Sequence, residues 1–163
     1  MSTERKFKIS FPSDTEMVME REFDAPRELV FDAHLNPEAI PQWWGGRGDS
    51  TEVVEMDVRA GGKWRFITRT KDEQEFVFFG EYREITPPER FIRTFGFEAP
   101  AALGIAMPGE PGEETYSFID LGNDRTLLRV HSFTTREEFE GMEEGANENY
   151  DKLDEFLAQK TAA

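Results

Sequence analysis

The segment from Phe23 to Trp44, FDAPRELVFDAHLNPEAIPQWW, constrains this chain more than any other. It closes an extended, alternating run, carries helical spacing in its middle, and leaves through paired tryptophans into Gly45-Gly46. Pro26 suits the first position of a helix, where its missing N–H is no loss and its fixed φ is already helical. Ala25 then stands at the cap, and Glu28 at the third helical position can reach back to a free backbone N–H. Leu29, Val30 and Ala33 form an apolar stripe at helical spacing. Asn36-Pro37 repeats the start signal with a better capping side chain, and Gly45-Gly46 stops the second helix. A kinked pair of short helices can plug the open side of a sheet.

The rest of the chain supplies that sheet. Residues 1–14 are polar, with Pro12 and Ser13-Asp14 as breakers, and read as a partly ordered arm. Thr15 to Phe23 is the first expected strand. Thr51 to Val58 alternates acidic and apolar residues, which predicts a strand with one solvated face. After the turn Arg59-Ala60-Gly61-Gly62, Lys63 to Thr70 places Lys63, Arg65 and Arg69 on one parity and Trp64, Phe66 and Thr68 on the other. Period two separates these sets onto opposite faces, so Trp64 and Phe66 point inward. Glu75 to Ile85 carries Phe76, Phe78, Gly80 and Tyr82 on one parity, and Gly80 within it suggests a bulge or bend.

Thr86-Pro87-Pro88-Glu89 ends that strand and Arg90 to Phe97 begins the next. There the two faces conflict. Arg93 argues that Ile92, Thr94 and Gly96 face inward, but Phe91, Phe95 and Phe97 share the parity of Arg93. The register of 90–97 is open at this level. A breaker-rich loop over 98–111 precedes a hairpin, Glu114 to Leu121 and Arg125 to Ser132, around Gly122-Asn123-Asp124. A long helix is expected from about Thr135 to Gln159. Its inward stripe is Phe139, Met142, Ala146, Tyr150, Leu153 and Leu157 at steps of three and four.

Two short helices, a run of antiparallel strands and a long terminal helix make an α+β fold. The expected architecture is a helix-grip: a curved antiparallel sheet of six or seven strands wrapped around the C-terminal helix, with two short helices after the first strand. At 163 residues, 33% charged and 37% hydrophobic, residues 1–163 read as one globular domain. No apolar run approaches the roughly 20 residues of a membrane span, and no basic-then-apolar leader opens the chain. The absence of cysteine removes disulfides and thiolate chemistry and fits a cytoplasmic setting. The net charge of −15 argues against nucleic acid, which is bound by neutralising phosphates, and against acidic membrane surfaces.

Several quoted segments carry a resemblance. They are Phe23-Asp24-Ala25-Pro26 with Val30-Phe31, Asn36-Pro37-Glu38 with Trp43-Trp44, and Val58 to Trp64 (VRAGGKW). They continue with Gly80 to Arg90 (GEYREITPPER) and Glu144-Gly145. In this order they resemble the START-like (SRPBCC) helix-grip superfamily, and within it the family of activator of heat-shock-protein-90 ATPase homologues. The resemblance spans residues 17–158. It implies the helix-grip fold and a cavity for a hydrophobic small molecule. It also brings two further roles: a chaperone partner, as in eukaryotic members where the domain follows a separate chaperone-binding domain, and an enzyme like the superfamily's aromatase/cyclases.

No catalytic constellation stands out. His34 and His131 are the only histidines, and their spacing does not make a zinc site. His131 shares parity with Arg129, on the expected outer face. No phosphate-binding loop or dinucleotide fingerprint appears, and no metal or cofactor is expected. The catalytic residues are undefined at this level. Space between sheet and helix would be lined by Trp64, Phe66, Phe78, Tyr82, Tyr116, Phe118, Met142 and Tyr150, with Asn149 as an amide and Trp43 and Trp44 near the rim. Such walls suit an ordinary small-molecule pocket. Each ring also has a plainer use as core, and the buried phenols would need polar partners, from protein or ligand. An edge strand could join two copies or be charged to prevent it, so monomer and homodimer both stand.

Overall fold

The computed structural model describes residues 8–100, 112–133 and 143–161. Eight strands form one antiparallel sheet. They are β1 (Lys8–Ser13), β2 (Glu16–Phe23), β3 (Ser50–Met56), β4 (Lys63–Arg69), β5 (Glu75–Thr86), β6 (Arg90–Glu98), β7 (Gly112–Gly122) and β8 (Arg125–Ser132). Their order is β1-β2-β8-β7-β6-β5-β4-β3. The sheet is unclosed, with β1 and β3 at its edges. Two short helices, α1 (Arg27–Leu35) and α2 (Ile40–Trp43), connect β2 to β3, and α3 (Glu143–Thr161) follows β8.

The architecture is the one the residue pattern predicts, with one strand more than the six or seven expected. The addition is β1, inside the stretch read as an arm. Lys8, Ile9 and Ser10 pair with Glu20, Met19 and Val18, and Ile9 and Phe11 pack against the core. Pro12 does not prevent this because β1 is an edge strand, where a missing N–H breaks no second ladder. The first helix also starts one residue later than expected. Pro26 is itself the cap, extended at φ −65° and ψ 151° without a capping side chain. Asn36 does cap the next turns, its Oδ1 accepting the Glu38 N–H at 2.9 Å.

Alternation along the strands decides which side chains form the core. β2 buries Met17, Met19, Arg21 and Phe23, and β8 buries Thr126, Leu128, Val130 and Ser132. The other parity carries cross-strand polar pairs on the outer face: the ion pair of Arg129 with Glu20 at 2.7 Å, and the hydrogen bond between His131 Nε2 and Glu16 at 2.8 Å. The β7–β8 hairpin turns at Asn123 and Asp124, both at φ 56°. Paired positive φ values match the twist of a two-residue hairpin loop.

Helix α3 lays Tyr150, Leu153, Phe156 and Leu157 into the core. Each such side chain contributes on the order of 2 kcal/mol when fully buried. Two ion pairs tie the helix to the sheet: Arg21 of β2, inward and buried, lies 2.9 Å from the Asp151 carboxylate of α3 and 3.6 Å from Asp154. The expected first turns of this helix, from Thr135 with Phe139 and Met142, lie outside the described residues, as does the loop over 101–111.

A second attachment holds the loop after α2. Asn149 Oδ1 accepts the Gly45 N–H at 2.6 Å, Glu148 accepts the Arg47 N–H, and Lys152 Nζ donates to the Gly45 and Gly46 carbonyls at 3.2 and 3.3 Å. Asn149→Ala strands the Gly45 donor in a half-buried setting. It is expected to lower stability by about 1–2 kcal/mol, read as a lower urea midpoint at unchanged denaturant slope. An unchanged midpoint would mean that water replaces the amide.

Candidate functional site

The concave face of the sheet, α1, α2 and α3 enclose an aromatic interior. On β4, Trp64 and Phe66 point inward and are buried. Trp44, at the exit of α2, meets Phe66 at 5.1 Å, Phe78 at 5.5 Å and Phe95 at 6.4 Å between ring centroids. Neighbouring strands build this group directly, since β4 pairs Phe66 with Phe78 of β5 and β5 pairs Phe78 with Phe97 of β6. A second group gathers around His34 of α1: Trp43 at 5.1 Å, Phe118 at 5.2 Å, Tyr116 at 5.9 Å and Tyr150 at 6.1 Å. Phe91 and Tyr116 stack across β6 and β7 at 4.5 Å, within 9° of parallel.

Arg93 stands between the two groups. It answers the question that the sequence left open, because β6 turns Phe91, Arg93 and Phe95 inward together. Its guanidinium is 4.4 Å from the Trp64 ring centroid, 4.7 Å from Tyr116 and 5.6 Å from Trp44. Cation–π attraction at such distances partly replaces lost hydration. Arg93 Nη2 donates to the Tyr116 hydroxyl at 2.8 Å, and that hydroxyl donates to Glu114 Oε1 at 2.6 Å. Glu114 is a distant counter-ion, 3.9 Å from Arg93 Nε.

The electrostatics follow from burial. Burial lowers the His34 pKa from 6.5 to about 3, only partly opposed by the Val30 carbonyl. The ring is therefore neutral. His34 Nδ1 lies 2.8 Å from the Val30 carbonyl oxygen, an acceptor, so Nδ1 carries the proton and Nε2 is a bare lone pair. Burial raises the Tyr82 hydroxyl to about 12 despite the nearby positive charge of Arg93, and raises Tyr116, Tyr150 and Glu114 as well. Burial opposes the charge of Arg93, but Tyr116, Glu114 and Tyr82 around it more than restore it. Three buried polar atoms here have no hydrogen-bond partner: Arg93 Nε, the Tyr82 hydroxyl and His34 Nε2. The Arg93 guanidinium is close enough to favour a Tyr82 phenolate by its charge and by a weak polar contact, but the Tyr82 hydroxyl makes no hydrogen bond of normal geometry.

Most of the predicted lining residues meet in this interior. Trp64, Phe66, Tyr82, Tyr116, Phe118 and Tyr150 are buried and Phe78 is half-buried. Both tryptophans expected near the rim are buried too. Trp43 pins α2 to α1 by donating from Nε1 to the Ala33 carbonyl at 3.0 Å. Asn149 is turned to the Gly45 loop instead, and Met142 lies outside the described residues. Arg93, Glu114, Phe91 and Phe95 belong to the interior but were not among its predicted members. The period-two spacing of Phe91, Arg93 and Phe95 was visible in the sequence, but not which face it took.

Of two surface hollows, one of about 370 Å³ lies by Asp72–Glu75 and Glu98–Pro100. The other, of about 460 Å³, lies by Arg27, Glu89, Arg90 and Ser117–Asp120. Among the described residues no group of three His, Asp or Glu side chains could hold a metal ion, and no helix is long and apolar enough to cross a membrane.

An unclosed, curved antiparallel sheet gripping a C-terminal helix over an aromatic interior defines the START-like, helix-grip class. Within that class, residues 24–158 match the Activator of Hsp90 ATPase homolog 1-like protein family, and the chain belongs to it. A solved protein from Rhodobacter sphaeroides shares the fold at a TM-score of 0.80 and 21% identity, over 94% of this chain and 99% of that one. A Chromobacterium violaceum protein does so at 0.76 and 24%, over 89% and 98%. The AHSA1 protein of Silicibacter pomeroyi does so at 0.72 and 21%, over 89% and 99%. No curated protein matches the sequence.

Proposed function

We propose that this protein binds an apolar, aromatic small molecule in the interior between the sheet and α3. The observation that carries this reading is the ledge formed by Phe78, Phe95 and Phe97. These rings point to the concave face yet are only half-buried, while Trp44 and Trp64 behind them are buried. Phe95 lies 5.9 Å from Phe78 and 5.6 Å from Trp64, so the ledge runs without a break into the core. A ligand ring entering here covers apolar surface and displaces side chains that are already partly wet. A cytoplasmic setting suits a chain without cysteine.

The test needs no knowledge of the natural ligand. All three tryptophans (Trp43, Trp44 and Trp64) lie in this interior, so their emission reports on it. Titration with the uncharged dye N-phenyl-1-naphthylamine is expected to raise dye emission and quench tryptophan emission over the same saturable range. Phe78→Ala is expected to weaken binding several-fold, in line with the loss of one aromatic contact. Absence of a saturable signal up to the dye's solubility would overturn the reading. The second reading is an enzyme of the cyclase kind, favoured by His34 Nε2, a buried acceptor without a donor. Recovery of a bound compound altered rather than intact, read by mass spectrometry, separates the two.

A further inference from the structure

The interior holds more polarity than an aromatic core needs. Arg93 occupies an inward position on β6, between Phe91 and Phe95, where an apolar residue would pack without desolvating a charge. Its guanidinium is almost fully buried, at 2% exposure. Of its nitrogens, Nη2 is used by Tyr116, whereas Nε has no hydrogen-bond partner. The nearest carboxylate oxygen is too far away to serve, at 3.9 Å. Tyr82, on the neighbouring strand β5, is fully buried, and its hydroxyl also lacks a partner. Their strands bring the two together, since Tyr82 and Arg93 are register partners.

Unmet buried donors are costly, and native interiors leave few of them. Here one nitrogen of the guanidinium and one hydroxyl lack hydrogen-bond partners on register-paired residues, walled by Trp64 and by the stacked Phe91 and Tyr116. An oxygen that carries negative charge satisfies both donors and balances the guanidinium. An aromatic ring attached to that oxygen lies among rings of its own kind. His34 Nε2 is a third unmet atom, and the His34 ring lies 6.1 Å from Phe91. As a bare acceptor it would repel a second anionic oxygen and take a hydroxyl or N–H group. The interior is thus asymmetric, with donors on the β5–β6 side and an acceptor on α1.

Resting on the binding reading above, we propose that the ligand is an aromatic acid whose anionic oxygen is held by Arg93 Nε and the Tyr82 hydroxyl. Arg93 supplies the charge preference. Tyr82 supplies a second donor and fixes the orientation of the acid group. The rings of Trp64 and Phe91 bear on the aromatic body.

The experiment compares 2-naphthoate with 2-naphthamide by calorimetry at pH 7. The two have the same shape and differ in charge. The folded wild-type protein is expected to bind the naphthoate roughly tenfold or more tightly than the amide, the size of effect that a charge-assisted pair in a dry site gives. Arg93→Met, checked for fold by circular dichroism, is expected to abolish that preference while keeping amide binding. Tyr82→Phe removes a hydroxyl that donates to no acceptor among the described residues, so it keeps the fold and is expected to weaken naphthoate binding several-fold. If Arg93→Met does not fold, Tyr82→Phe decides alone. Equal binding of both probes, tighter amide binding, a preference that survives Arg93→Met, or naphthoate affinity unchanged in Tyr82→Phe would each overturn the proposal. The uncharged dye separates the two levels. If it binds and the acid shows no preference, only the acid recognition falls; if neither dye nor probe binds, the binding reading falls with it.

Discussion

Replacing Gly80 by alanine is expected to unfold the protein or lower its stability by about 4 kcal/mol or more, in the far tail for single substitutions. Gly80 lies in β5 opposite Trp64 of β4. Its neighbours approach so closely that an added Cβ would sit 1.9 Å from the Thr94 carbonyl oxygen of β6 and 2.7 Å from Trp64 Nε1. The missing side chain leaves the gap through which the Trp64 indole reaches over β5 to the Thr94 carbonyl, at 3.3 Å. Neither neighbour can yield cheaply. The carbonyl belongs to the backbone of a central strand, and Trp64 is buried against Trp44, Phe66 and Phe95. Urea unfolding followed by tryptophan emission tests this. A cooperative Gly80→Ala transition within about 1 kcal/mol of wild type would show that the sheet can shift at this point, contrary to the close packing of protein interiors.

The second large effect is on acid stability. In the unfolded chain His34 takes up a proton below about pH 6.5, and in the folded protein only near pH 3. Between these values the unfolded state binds more protons, so stability falls as pH falls and is restored as pH rises. The whole gap corresponds to about 5 kcal/mol at about 1.4 kcal/mol per pH unit. Between pH 7 and pH 5 the wild type should lose about 2 kcal/mol through this residue alone. The groups around the ring hold the shift in place: Arg93 from β6 and Tyr116 from β7 and Tyr150 from α3, with Trp43 and Phe118 excluding water. His34→Leu, close to histidine in volume, should be less stable or similar at pH 7. It should also lack that component of the acid loss. Parallel stability curves for the two proteins from pH 7 to pH 5 would show that His34 is protonated in the fold or that water reaches it.

Both effects depend on positions whose identity was readable and whose consequence was not. Gly80 within an aromatic strand announced a bend, and the alternation of Trp64 with Phe66, and of Phe78 with Tyr82, placed these rings inward before any coordinates. His34 stood in the sequence only as one of two histidines, on a helix that also carries Arg27, Glu28 and Asp32. Whether it faced water, a metal or rings depended on Trp43, Tyr116 and Tyr150, up to 116 residues further along the chain. The partner of Asn149 was hidden for the same reason. The helical position of Asn149 puts it beside Tyr150, but the Gly45 N–H that it accepts comes from the loop after α2. The β1 strand was missed because a local reading scores Pro12 as a breaker, whereas an edge position needs no second ladder.

The sequence by itself determined the order of elements, the faces of β4 and β5, and the apolar stripe of α3. These are consequences of local periodicity, which any single strand or helix carries within its own residues. Only the tertiary structure decided the facing of β6. Its alternation offered three aromatic rings and one arginine on the same side. Local rules then weigh the burial of three rings against the desolvation of one charge without a means of settling it. The balance was struck by residues from other strands: Trp64 and Tyr116 receive the guanidinium on their ring faces, and Glu114 gives it a counter-charge through the Tyr116 hydroxyl. A buried cation is tolerable only where such partners converge, and their convergence is a property of the folded sheet.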